Sequence, residues 1–331
     1  MATIIDVRDL TLRFPGLTPV RELSFSVKNG ETLAIVGESG SGKSLTALAI
    51  MRLLPRNCRI AGGEISFDGE RLLGLSERDM CRVRGRRIAM VFQEPMTSLN
   101  PVLPIGRQIG EVVRLHEGAS ARAGRARAIE LLDLVKIPDP HRCVDEYPHH
   151  LSGGMRQRVM IAIAVACRPR LLIADEPTTA LDVTIQAQVL DLLDRLRRDM
   201  SMSLILITHD LGVVAQWADR VVVMYAGRKV EEGPATEIFR SPEHPYTRGL
   251  LAASPRLNSE YHYRDGPLAE IPGHIGSAAL EPGCPFVPRC SFAIADCRAA
   301  PPPLIKASPE RLVACPVTRP SERLDASALD R

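Results

Sequence analysis

At 331 residues, with 45% apolar and 24% charged residues and a net charge of +3, the chain has the balance of a globular protein. That length suits one large domain with an appendage, or two domains. The basic excess is too small to argue for nucleic acid, and the densest basic run, RVRGRR at 82–87, reads as solvated surface. The N-terminus, MATIIDVRDLTLRF, is charged too early for a secretory signal, and the longest apolar stretch, VMIAIAVAC at 159–167, falls far short of the roughly 20 residues of a membrane helix. With neither signal nor span, the eight cysteines are expected in a reducing compartment, where metal or catalytic use outweighs disulfides.

In chain order, the first element is an early strand that includes Phe14 within LTLRFPG. Next, ETLAIVGESGSGKSLTALAIMRLL at 31–54 reads strand, glycine loop, helix, and Gly37, Gly42, Lys43 and Ser44 fit G-x-x-x-x-G-K-[ST], with Gly40 inside the loop. Backbone N–H groups must close around phosphate oxygens there, where a Cβ would intrude, and the helix that starts near Lys43 adds its positive end. Lys43 is expected at the β- and γ-phosphates and Ser44 on Mg²⁺. IAMVFQEP at 88–95 ends a further strand in Gln93, an uncharged group able to bond water or metal.

LSGGMRQRVMIA at 151–162 opens with Ser152, Gly153 and Gly154 and runs into a helix, a second phosphate-binding N-terminus that the chain's own nucleotide does not need. RLLIADEPTTALD at 170–182 follows, with Leu171 to Ala174 as a buried parallel strand that delivers Asp175 and Glu176 at its C-terminal end. Asp175 suits the Mg²⁺ shell, and Glu176 stands where it would polarise an attacking water. A third apolar strand, MSLILITHD at 202–210, ends in His209 on the same expected edge, in reach of a γ-phosphate. Four strand ends thus converge on one site. No internal repeat and no sustained heptads occur.

The combination resembles the ATP-binding subunits of ABC transporters, and the resemblance covers nearly the whole chain. Gly37–Ser44 resemble the Walker A loop, Gln93 the Q-loop, Leu151–Gln157 the signature, Asp175 and Glu176 the end of Walker B, Ala180–Asp182 the D-loop and His209 the switch histidine. Phe14 is similar to the family's adenine-stacking aromatic; a core phenylalanine of the first strand is the alternative. The implied fold is α/β, a P-loop NTPase cassette: a mostly parallel core sheet, an antiparallel β subdomain, a helical subdomain at about 95–160, and an irregular C-terminal extension. The resemblance implies ATP and Mg²⁺, with Phe14, Gly37, Ser39, Gly40, Gly42, Lys43, Ser44 and Leu45 around the chain's own nucleotide. Ser44, Gln93 and Asp175 would hold the metal, and Glu176, His209 and Gln93 would act in hydrolysis. Ser152, Gly153, Gly154, Gln157 and Asp182 would meet the nucleotide of a second ATPase subunit, a copy or a paralogue, which removes the redundancy of two loops.

A cassette free of membrane helices, coiled-coil insertions and a second copy of itself points to an importer's motor subunit on the cytoplasmic face of the inner membrane. It would work with two membrane permeases, indirectly with an extracytoplasmic solute-binding protein, and with no nucleic acid. HPYTRGLLAASPRL at 244–257, GCPFVPRC at 283–290, FQEPMTSLNP and DEPTTALDVTIQAQ resemble the oligopeptide, dipeptide and nickel importer branch. A soluble ABC ATPase acting on nucleic acid or ribosomes, and an exporter motor with separate membrane subunits, are the competing readings.

Proline divides the chain: residues 1–256 hold 15 of the 26, and the last 75 residues hold 11. The boundary between cassette (1–256) and extension (257–331) is therefore set near 256. The extension carries Cys284, Cys290, Cys297 and Cys315, spaced C-x5-C-x6-C-x17-C. That spacing fits zinc poorly and leaves a metal or cluster staple open beside inert thiols. The resemblance adds a [4Fe-4S] cluster, which some members of the branch carry on similarly placed cysteines. Cys58, Cys81, Cys143 and Cys167 are expected as buried small hydrophobes.

Overall fold

The computed structural model describes residues 2–94, 98–179, 181–254, 270–276 and 282–317. Ala180 of the expected D-loop, Pro95–Thr97 after Gln93 and much of the extension lie outside the described residues.

Two sheets organise the cassette. Strands β1 (Thr3–Phe14), β2 (Leu17–Lys28), β4 (Arg59–Phe67) and β5 (Glu70–Arg71) form an antiparallel sheet in the order β2-β1-β4-β5. The larger sheet runs β11 (Ile305–Ser308), β12 (Arg311–Val313), β10 (Arg228–Pro234), β9 (Arg220–Tyr225), β3 (Thr32–Val36), β8 (Ser203–Thr208), β7 (Leu171–Asp175), β6 (Ile88–Val91). Its inner part, β9-β3-β8-β7-β6, is parallel throughout.

The apolar runs of β3, β7 and β8 follow from burial on both faces, since a parallel sheet covered on both sides has no wet face to alternate with. Successive residues alternate between cores. Leu172 and Ala174 of β7, with Leu204 and Leu206 of β8, enter the core built with the helical subdomain. Leu171 and Ile173, with Ile205 and Ile207, enter the core under the antiparallel sheet and the Lys43–Ile50 helix. Ala34 and Val36 of β3 and Val221, Val223 and Tyr225 of β9 face a third core that contains Tyr246, Phe286, Cys284 and Cys297.

The helical subdomain packs Ile105–Glu117 against Ala121–Leu134 and both against Gly153–Val165. No helix among the described residues is long and apolar enough to cross a membrane.

The extension, read from its prolines as irregular, also contributes two short strands that continue the main sheet through β10–β12 pairing of Glu231 with Val313 and Glu232 with Leu312. Those two strands are only 4 and 3 residues long, too brief to show a period of two. Arg311 is 4% exposed and its Nη2 donates to Oε1 of the fully buried Glu231 at 2.6 Å, an ion pair that fastens β12 to β10. The 82–87 run is a set of pairs rather than an open basic stripe: Arg82 meets Asp79, Arg84 meets Glu77, and Arg87 meets Glu70. Cys58 and Cys143 are buried and Cys167 is half-buried, whereas Cys81 is exposed on the short Glu77–Val83 helix, contrary to the burial expected of it.

Candidate nucleotide site

Because β6, β7, β8 and β3 are parallel, their C-terminal ends share one edge, the edge at which open α/β sheets bind ligands. Each end delivers one part of the site.

Val36 of β3 leads directly into the glycine loop, which returns as the Lys43–Ile50 helix. Gly37 has φ 151°, and a Cβ on it would lie 2.2 Å from the Met224 carbonyl oxygen. Gly42, at φ 99°, would place a Cβ 2.7 Å from the Pro19 oxygen. Neither position accepts a side chain, so the loop closes only with glycine. Lys43 folds back into the loop, and its Nζ donates to the carbonyls of Gly37 at 2.8 Å and Glu38 at 3.0 Å. Burial pushes its ammonium below the usual lysine value, against the opposing pull of Glu176, Asp175 and Glu38. Ser39 and Gly40 form the exposed apex, while Ser44 and Leu45 are half-buried at the helix start.

Asp175 closes β7, and its Oδ1 accepts from the Ser44 hydroxyl at 3.0 Å, across 131 residues of chain. Burial lifts the Asp175 carboxyl from 3.8 to about 6, reinforced by the neighbouring Glu176 and opposed by the Ser44 hydrogen bond and Lys43. Glu176 follows in the left-handed region at φ 46°, with its N–H bonded to the Ile207 carbonyl at 2.9 Å. That turn throws its carboxylate toward the neighbouring strand ends. Gln93 Nε2 donates to Glu176 Oε2 at 2.9 Å, Thr179 Oγ1 donates to the same oxygen at 3.0 Å, and His209 Nδ1 stands 3.5 Å from Oε1. The structure therefore gathers Gln93, Glu176 and His209 around one carboxylate beside the Ser44–Asp175 pair and Lys43.

Other sequence-derived candidates lie elsewhere. Phe14, at the end of β1 opposite Leu17, is half-buried against the core under the antiparallel sheet. Ser152 and Asp182 are exposed and cap their own helices, accepting from Met155 N at 3.3 Å and Ile185 N at 3.0 Å. Gly154 packs against the helix that Asp182 caps, since a Cβ there would lie 2.8 Å from Ile185 Cγ2. Gln157 is only 1% exposed and its Nε2 has no partner. It sits on the inner side of its helix, whose exposed start is formed by Ser152 and Gly153.

Two groups escaped the sequence reading. Thr179 carries no motif signal of its own beyond its place in DEPTTALD. The second group approaches from the C-terminal region, where the Tyr246 hydroxyl accepts from Glu38 N at 2.8 Å and Arg289 Nη1 donates to Glu38 Oε2 at 2.8 Å. Contacts 208 and 251 residues apart leave no trace in local pattern.

Cys284, Cys297 and Cys315 are buried and Cys290 is half-buried. Burial raises the Cys284 thiol to about 11, with smaller contributions in the same direction from the charges of Cys297, Cys315 and Cys290. Cys284 and Cys297 are also joined through the backbone, Cys284 N donating to the Cys297 carbonyl at 2.7 Å. Even so, no group of three or more His, Cys, Asp or Glu side chains among the described residues is arranged to hold a metal ion. The cluster expected from the resemblance has no preformed ligand set in this geometry.

The glycine loop, the buried lysine and the two carboxylates at the end of β7 define a P-loop nucleotide-binding cassette. The ABC transporter family model matches residues 20–179, and the model for the oligopeptide/dipeptide transporter C-terminal region matches 230–297. A peptide import ATP-binding protein of Brucella abortus is 51% identical over 327 residues, covering 97% of each chain. Another of that description, from Brucella melitensis, is 54% identical over 314 residues, covering 91% of this chain and 93% of the relative. Among solved structures, a dimeric ATP-binding cassette in a post-hydrolysis state with ADP and phosphate aligns with TM-score 0.63 at 28% identity, covering 70% of this chain and 99% of its own. CbiO1 from Clostridium perfringens, part of an ABC transporter complex, aligns at 0.64 and 26%, covering 73% and 92%. The chain belongs to the ABC transporter ATP-binding family.

Proposed function

We propose that the protein is the ATP-hydrolysing motor subunit of an importer for peptides or related small solutes. The observation that carries this reading is the meeting of Gln93, Glu176 and His209 beside Ser44, Asp175 and Lys43. The peptide-import names of relatives over half identical, and the match of the C-terminal region, support the class of cargo.

ATP is the substrate. Lys43, already turned into the loop, binds the β- and γ-phosphates in exchange for its two carbonyl partners, and the loop N–H groups and helix start receive the remaining oxygens. Ser44 Oγ, Asp175 Oδ1 and the Gln93 amide form the hard oxygen set that suits Mg²⁺, and a buried Asp175 favours a cation beside it. Held by these groups, Mg²⁺ would supply positive charge to offset that of the transferring phosphoryl group. Glu176 orients the attacking water and takes its proton, held for that purpose by Gln93 and Thr179 through Oε2 while Oε1 faces His209. His209, exposed at the strand end, meets the γ-phosphate side of the site.

Ser152–Gly154 and Asp182, exposed and apart from this cluster, serve the nucleotide of a second ATPase subunit, a copy or a paralogue. The dimeric form of a related cassette supports that arrangement. The pair powers two membrane permeases, placing the chain on the cytoplasmic face of the inner membrane, with a solute-binding protein outside. The resemblance suggests a [4Fe-4S] staple on Cys284, Cys290, Cys297 and Cys315, and their lack of ligand geometry speaks against it. Anaerobic purification decides: a colourless, iron-free protein ends the cluster, and stoichiometric iron and sulfide establish it.

The functional test is Glu176→Gln, which keeps the hydrogen-bonding shape without the base. ATP affinity should hold while turnover falls by about 100-fold or more; normal turnover would refute the assignment. Lys43→Ala should instead weaken ATP binding itself.

A further inference from the structure

We propose that the C-terminal region is a wall of the nucleotide site, and that Arg289 and Tyr246 are positioning residues that hold the glycine loop ready for ATP through Glu38. The inference rests on the reading that the Gly37–Ser44 loop binds nucleotide.

A loop with glycines at 37, 40 and 42 has more backbone freedom to lose than any other eight-residue segment of ordinary composition, and each ordered residue opposes binding unless it is fixed beforehand. Glu38 is fixed at three points. Its N–H donates to the Tyr246 hydroxyl at 2.8 Å, its carboxylate accepts from Arg289 at 2.8 Å, and its carbonyl accepts from Lys43 at 3.0 Å. Two of those partners lie in the 230–297 region. Arg289 is built for the task, not lodged there by chance. Its side chain is 4% exposed, its Nε donates to the Pro272 carbonyl at 2.7 Å, and its Nη2 donates to that of Ile271 at 3.1 Å. Its guanidinium carbon lies 5.7 Å from the Tyr225 ring centre. The same 270–276 segment brings Ile275 to 3.8 Å from where a Cβ on Gly40 would stand, so the tail also lines the loop's apex.

Charge gives Arg289 a second role. A carboxylate beside a triphosphate repels it, and inside the protein that repulsion is weakly screened. The guanidinium offsets the Glu38 charge through one oxygen, Oε2, while Oε1 is buried without a hydrogen-bond partner. Arg289 ends the turn Val287–Arg289, directly before Cys290, whose N–H bonds to the Val287 carbonyl at 3.2 Å. Cys284 N bonds to the Cys297 carbonyl at 2.7 Å in the same substructure. The packing of the cysteine-bearing turn therefore sets where Arg289 points, and through it the loop.

The test uses the full chain, with ATP titrated without magnesium so that no turnover intervenes, and protease resistance of the C-terminal region followed in parallel. Arg289→Gln should weaken ATP binding by about tenfold, and Tyr246→Phe, which keeps the ring and loses the acceptor, by about threefold. The double variant Glu38→Gln/Arg289→Gln should recover to within about threefold of the original affinity, because the uncompensated charge is gone. A purely structural Arg289 would lower resistance to protease without that recovery. The proposal is overturned if Arg289→Gln binds ATP normally, or if the double variant is as weak as the two single losses combined. Should Arg289→Gln fail to fold, Tyr246→Phe and Arg289→Lys decide: unchanged affinity in both overturns it, and graded losses support it. Lys43→Ala separates the two ideas, since unchanged ATP affinity there would remove the nucleotide reading itself.

Discussion

Glu176 adopts φ 46°, a conformation that strains a residue with a Cβ by about 1–3 kcal/mol, and three neighbours hold its carboxylate there. Thr179→Val removes one of the two hydrogen bonds to Oε2 while keeping volume. Turnover should fall about tenfold with ATP affinity unchanged; steady-state kinetics beside an ATP titration measures both. His244 offers a different residue-scale test. It is buried, its Nδ1 accepts from Tyr246 N at 3.1 Å, its N–H donates to Glu231, and burial, aided by the Arg248 charge, lowers its imidazole to about 3. The unfolded chain takes up a proton below about 6.5 that the folded chain refuses. Stability from this group is thus complete above 6.5 and is lost as pH falls toward 3, by up to about 1.4 kcal/mol per pH unit. His244→Asn should flatten that acid limb in urea titrations across the window. The nucleotide residues were legible because their chemistry fixes residue type and spacing within a dozen positions. The burial of Gln157 was not legible, since motif membership does not say which face of a helix a side chain takes.

Strand β12 shows what an element contributes beyond its length. With only 3 residues it adds few backbone bonds, yet Arg311 brings a guanidinium to a carboxylate with no exposure. Arg311→Met leaves Glu231 charged and unpaired in the interior, at a cost of roughly 3–5 kcal/mol read as a shift in the unfolding midpoint. The double change Arg311→Met/Glu231→Leu should recover much of it. The parallel strands β3, β7 and β8 could be read directly, because burial on both faces writes a continuous apolar run. β11 and β12 could not. The partner of β12, β10, lies some 80 residues away, as the Arg311–Glu231 contact records, β11 pairs with the three-residue β12, and prolines around them mimic an unstructured tail.

At the scale of the whole molecule, the proposed role of Ser152 and Asp182 at a second subunit's nucleotide has a test on the helix that Ser152 caps. Gly153 has room for a side chain, its Cβ position lying 3.7 Å from Leu181 Cδ2. An aspartate at a helix start suits the helix dipole but repels a phosphate docking there. Gly153→Asp should therefore leave ATP affinity of the isolated chain unchanged and lower turnover of the assembled transporter by about 100-fold. Equal turnover would show that the signature loop meets no nucleotide. Glu38 and Arg289 carry a consequence for synthesis. They stand 251 residues apart, and a ribosome adding about 5–20 residues per second needs at least ten seconds to travel from one to the other. The glycine loop therefore emerges at least about ten seconds before Arg289, and a nascent chain would hold the loop without its clasp for that time.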